Sequence, residues 1–156
     1  MNNDFISKVK KFLAFLLIAS IFVCVSYLLV YEVSFLPNGY DIEAVQKDNV
    51  SLKSFNFLGV EKDKITLSFS GNDIWVIDEI KKAVKKQKGE LFLLFSAVTV
   101  SIFLLSYKVR NGLKLWKAIL ESNIIFAVLF PLLLVMNSLN RIFDLISYYS
   151  TNGSFT

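Results

Sequence analysis

Histidine is absent from these 156 residues, cysteine occurs once and proline twice. Without an imidazole there is no histidine acid–base pair and no histidine metal ligand. A single cysteine builds neither an intrachain disulfide nor a zinc cluster. The chain also contains no glycine-rich phosphate loop, no serine nucleophile elbow and no metal-ligand spacing. These absences leave no catalytic residue to name, and no cofactor or metal is expected.

What the chain has instead is apolar bulk: 54% hydrophobic residues, 15 phenylalanines and only 19% charged residues. That is too apolar, with too few loop residues, for an ordinary soluble domain. Residues 12–31, FLAFLLIASIFVCVSYLLVY, carry no charge and follow directly on Lys8, Lys10 and Lys11. At ~1.5 Å per residue, twenty helical residues cross a ~30 Å hydrocarbon core. The run outlasts a secretory signal core and ends without a small-residue cleavage site, so it is read as an uncleaved signal anchor. Cys24 lies in its middle behind Ile21-Phe22-Val23, which lacks the small residue a lipoprotein cysteine needs. It is read as a packing residue, since a thiol in hydrocarbon stays protonated.

Two further runs have spanning character. Residues 91–107, LFLLFSAVTVSIFLLSY, are uncharged, with Glu90 at the entrance, Gly89 as an expected hinge, and Lys108, Arg110, Asn111 and Gly112 closing the run. The third span lies between Lys117 and Arg141, with 124–136 as its uncharged centre and Pro131 as an expected kink. Glu121 and Asn123 fall inside that window. They read either as a headgroup-level carboxylate paired with Lys117 or as an intramembrane polar site for a proton or cation. Ser20 with Cys24, and Ala97 with Ser101, are small residues four apart, the pattern that lets helices approach closely; Ala19 and Ser26 extend the strip on the first helix.

Between the first two spans, residues 32–89 hold nine lysines and nine acids. Pro37-Asn38-Gly39 is a turn signal. Residues 64–70 alternate polar and apolar as a half-buried strand does, 50–58 is a second strand candidate, and 59–63 can join them as a hairpin. A helix over 73–88, capped by Asn72 or Asp73, puts Ile74, Trp75, Ile77, Ile80 and Val84 on one side. Its Lys81, Lys82, Lys85, Lys86 and Lys88 read as lipid-headgroup contacts; without interleaved aromatics, and joined to a span, they do not read as a nucleic-acid site. After the third span, Leu139, Ile142, Phe143 and Ile146 oppose Asn140, Arg141 and Asp144. That pattern predicts an interfacial amphipathic helix with Tyr148 and Tyr149 at headgroup level.

The predicted fold is an all-α membrane bundle of three transmembrane helices with a small α+β insertion between helices 1 and 2. Its parts are 1–31, 32–89, 90–136 and 137–156. Basic residues flanking the spans predict a cytoplasmic N-terminus, residues 32–89 outside, 108–117 inside and the C-terminus outside an inner membrane, while the lysines of 81–88 pull the other way. The expected function is non-enzymatic: binding another membrane protein, or a second copy of the chain, among membrane lipids. In size and layout, with no shared motif, the chain resembles immunity proteins against pore-forming bacteriocins and the exclusion proteins of plasmids and phages; an accessory subunit fits equally. The alternative is an oligomeric ion or proton channel or transporter component using Glu121.

Overall fold

The computed structural model describes residues 3–69 and 74–152. A first helix, α1 (Asn3–Tyr27), ends in a π-helical turn (Leu28–Glu32). Three strands follow, β1 (Tyr40–Val45), β2 (Asn49–Phe55) and β3 (Glu61–Ser68), and then the helices α2 (Trp75–Arg110), α3 (Leu115–Glu121) and α4 (Ile124–Asn152). Three stretches are helical, long and apolar enough to cross a membrane: Phe5–Glu32, Trp75–Arg110 and Ile124–Ser150.

The insertion between the first two long helices is an antiparallel meander in the order β1-β2-β3. It has three strands, one more than the sequence suggested. Tyr40 and Ile42 of β1 alternate inward in register with Ser54 and Leu52 of β2. Asp41 and Glu43 between them, and a register shift at Glu43, interrupt the pattern that marks a strand. In β2 and β3 the alternation is plain: Val50, Leu52 and Leu67 are buried. Ser51 and Thr66 share a hydrogen bond on the opposite face.

Neither Gly89 nor Pro131 ends a helix. The helix runs unbroken through Gly89, so the amphipathic helix and second span of the sequence reading are one 36-residue rod. A mid-helix glycine costs only about 1 kcal/mol. The packing of Ile80, Val84 and Leu91 on either side of Gly89 outweighs it. The second rod, α4, likewise continues through Pro131 to Asn152. The break falls earlier, at Asn123, whose φ of +48° separates α3 from α4. Asparagine is among the few non-glycine residues that adopt this left-handed conformation. The cap expected at Asn72 or Asp73 lies outside the described residues.

Two layers result. In the polar layer, the inner face of the sheet packs on Val76, Ile77, Ile80, Ala83 and Val84 of α2 and on Ile142 and Ile146 of α4. Residues 137–152 are therefore the second helix of a folded domain. Their apolar side lies against protein at Ile142 and Ile146, while Phe143 stays exposed. Tyr149 meets Phe69 edge-on at 5.4 Å, at the end of the domain away from the apolar layer. In the apolar layer, α1 packs on α2 through Phe15 and Phe22, both against Phe103. Val30, Leu36, Leu91 and Val135 form a second buried cluster where the layers meet.

Two polar contacts fix the sheet to α2. Gln87 is fully buried; its Oε1 accepts from the Tyr40 amide at 3.1 Å and its Nε2 donates to the Tyr40 carbonyl at 3.4 Å. Gly39 permits this, because a Cβ there would overlap the Gln87 amide. Lys88 pairs with Asp41 at 2.7 Å, and the Ser34 hydroxyl donates to the same carboxylate at 3.0 Å.

Ile142→Ala should lower thermal stability in mild detergent by about 2–5 kcal/mol, as for buried aliphatic truncations. Phe143→Ala one residue along should stay within about 0.5 kcal/mol. Equal, small effects would show that 137–152 does not pack on the sheet. Asn123→Val should destabilise by about 1–2 kcal/mol through the left-handed backbone, while Asn123→Gly should not; comparing the two melting curves checks the break.

Candidate interaction groove

The first turns of α2 and the second half of α4 bound an open groove lined by Trp75, Glu79, Asn137, Asn140, Arg141, Asp144, Leu145, Tyr148 and Tyr149. Helical spacing builds it. Trp75 and Glu79 are one turn apart on α2, and Asn137, Arg141, Asp144 and Tyr148 follow at steps of four, three and four along one stripe of α4. The stripe lies beside the Ile142 and Ile146 face, so the packing that buries those isoleucines turns these polar groups outward. Arg141 donates from Nη2 to Glu79 Oε1 at 2.9 Å and closes the groove across the two helices. Trp75 and Tyr148 remain largely exposed. Among the described residues no hydrogen bond or ion pair engages the side chains of Asn137, Asn140 or Asp144. The groove thus offers two aromatic surfaces beside free amide and carboxylate groups.

Other chemistry is sparse. Among the described residues no group of three or more His, Cys, Asp or Glu is placed to hold a metal ion. Glu90 is buried where the two layers meet, with Oε1 3.7 Å from Lys86 Nζ and Oε2 without a hydrogen-bond partner.

On the outer face of the sheet, Lys53 bridges Glu43 at 3.5 Å and Glu61 at 3.2 Å, and Lys64 reaches Glu43 at 2.6 Å. The hydrogen bond from Lys64, then the charges of Lys64 and Lys53, hold the Glu43 carboxyl below its ordinary value. The bond to Glu61 and the nearby carboxylates raise Lys53 above its own. Burial raises the Tyr40 hydroxyl.

The residues singled out from the sequence fall in separate places. Glu121 ends the short helix α3, half-exposed and 3.8 Å from Lys117, outside the long helix that follows. Asn123 is exposed and serves as the backbone break. Ser101 is buried and Ala97 half-buried on α2, but Ser20 and Cys24 on α1 are exposed, so the structure does not join the two small pairs in one seam. The face of α1 that packs is one position over, at Phe15, Ala19, Phe22 and Ser26. Of the five lysines, Lys88, Lys86 and Lys81 pair with Asp41, Glu90 and Asp78. Lys82 and Lys85 are exposed without an ion pair among the described residues.

Sequence reasoning found the polar stripe of 140–144 but read it as the wet side of an interfacial helix, and it did not connect the stripe to Trp75 and Glu79. The spacing of 137, 141, 144 and 148 was the available signal; the partner helix 62 residues upstream was not. No family model, no curated protein and no solved structure matches this chain.

The ladder on the sheet has a defined pH window. Glu43, lowered in the fold, contributes stability that is present above its ordinary value of 4.5 and is lost as pH falls through the lowered one. Lys53, raised in the fold, contributes stability present below 10.5 and lost as pH rises through the raised value. Amide-exchange protection of β1 and β2, corrected for intrinsic rates, should weaken on the acid side, and Glu43→Gln should remove part of that loss. An acid profile unchanged by Glu43→Gln would show that the ladder does not contribute.

Proposed function

We propose that this chain is a multi-pass membrane protein that acts by binding another membrane-inserted protein, as immunity, exclusion or accessory-subunit proteins do, and not by catalysis. The observation that carries this reading is the groove between α2 and α4. Trp, Tyr and Arg are the residue types that dominate binding energy at protein interfaces, and Trp75, Tyr148 and Arg141 stand together there beside unengaged polar groups. The groove lies on the two helices that continue into the apolar layer, where the part of a partner that rises out of the same membrane can reach it.

The charge distribution supports three crossings with the N-terminus in the cytoplasm. Lys8, Lys10 and Lys11 precede the first span and no Lys or Arg follows it until Lys47, while Lys108, Arg110, Lys114 and Lys117 precede the third span and only Arg141 follows it closely. Positive residues are retained on the cytoplasmic side. The lysines of 81–88 argue against this orientation, but they lie in the 58-residue segment 32–89, and long translocated segments are less bound by the rule. A transport component built on Glu121 has less support, because that carboxylate is exposed and paired with Lys117 at the end of α3.

Purification of the whole protein in native nanodiscs should bring one membrane protein in stoichiometric amount. Trp75→Ala combined with Tyr148→Ala should release it while the melting temperature stays unchanged. Retention of the companion by the double variant, or its absence from the parent protein, contradicts the groove as the binding site. Single cysteines at Lys47 and Lys114 in a Cys24→Ser background should label from opposite sides of sealed vesicles; labelling from one side contradicts three crossings.

A further inference from the structure

The turn joining β2 to β3 is apolar where a water-facing turn is expected to be polar. Phe57, Leu58 and Val60 are exposed by 75%, 69% and 58%. The tip nonetheless satisfies most of its own amide donors. Asn56 Oδ1 accepts from the amides of Leu58 at 2.9 Å and Val60 at 3.0 Å. The Gly59 amide donates to the Asn56 carbonyl and the Asn56 amide to the Val60 carbonyl, both at 2.9 Å. Four of the five amides from Asn56 to Val60 are thus satisfied inside the loop, which lowers the cost of bringing it to the edge of an apolar medium.

The height of the tip follows from two ring contacts. Gly59, at a φ of +71°, sits so close on Phe35 that a Cβ would come within 2.6 Å of the ring. Phe35 in turn lies 5.7 Å, centroid to centroid, from Phe95 of α2. Phe95 is five residues past Glu90, about 7 Å into the uncharged run at ~1.5 Å per residue. The tip therefore stands beside the first turns of the apolar layer. The other end of the same strand is remote: β2 is seven residues long, so the turn at 46–48 is about 20 Å away. There the Phe69 amide bonds to the Asp48 carbonyl and Phe69 packs on Tyr149.

We propose that the β2–β3 tip is a lipid-binding anchor: Phe57, Leu58 and Val60 insert into the interfacial zone of the bilayer that the helices cross, on the sheet side, and hold the sheet upright on it. The occupant is lipid because the exposed apolar surface is continuous, through Phe35 and Phe95, with the apolar exterior of the helices. The inference rests on the membrane placement proposed above.

The test uses the full chain in a Cys24→Ser background, in nanodiscs, with an environment-sensitive fluorophore on single cysteines at Leu58, Lys47 and Leu17, and lipids brominated along the acyl chain. The anchor requires blue-shifted emission and strong bromine quenching at Leu58, none at Lys47, and quenching at Leu17, an exposed residue of α1. Quenching at Leu17 without quenching at Leu58 overturns the anchor and leaves the membrane placement standing; a tip blue-shifted but unquenched in that case is covered by protein. Absence of quenching at Leu17 overturns the membrane placement and the anchor with it.

Discussion

The seam between α2 and α4 runs on while the chemistry around it changes. Ile80, Ala83 and Val84 on α2, and Ser138, Ile142 and Ile146 on α4, are buried in the polar layer. Leu91, Ser101, Ile124 and Val135 are buried farther along the same two rods. Outside the seam, the surface passes from lysine and glutamate to phenylalanine and leucine, as at Phe126, Phe130 and Leu133. A helix satisfies its own backbone hydrogen bonds along its length, so it is the element that can pass between such surroundings without a break. The sheet, the groove and the charged end of the molecule all take their positions from these two rods.

This arrangement also accounts for how a three-stranded sheet is held. So few strands bury little apolar area alone. Here Val50, Leu52 and Leu67 find their partners on α2 and α4, Gln87 and Lys88 of α2 bind the edge strand, and Tyr149 covers Phe69. The polar layer is thus built from three separated segments of chain. A contact made in the groove therefore bears on the same two helices that run through the apolar layer.

The sequence made the three apolar runs and two of the three strands legible, because long uncharged stretches and strict alternation are local signals. Strand β1 was hidden by Asp41 and Glu43, whose pairing with Lys88 and Lys64 depends on distant residues. Gly89 and Pro131 carry the local marks of interruption, yet the helices run through both. Asn123 carries a weaker mark and is where the chain breaks. The amphipathic pattern of 137–152 was visible, but periodicity reports only that one side is apolar, and whether lipid or protein covers it is decided by tertiary contacts. The candidate groove required that same information, since its halves come from opposite ends of the long helices. Glu121 with Asn123 stood out because they interrupt a hydrophobic window; the break at Asn123 removes the window itself.

The continuity of α2 between the two layers is the claim from which the rest follows, and a distance across Gly89 tests it most directly. Spin labels at Lys82→Cys and Tyr107→Cys in a Cys24→Ser background, measured by pulsed electron–electron resonance in nanodiscs, span 25 residues of helix. An unbroken rod predicts a single narrow distribution near 38 Å between backbones, from ~1.5 Å per residue. A broad distribution, or one centred well below that length, would show a hinge at Gly89 and contradict a domain carried rigidly on the helices.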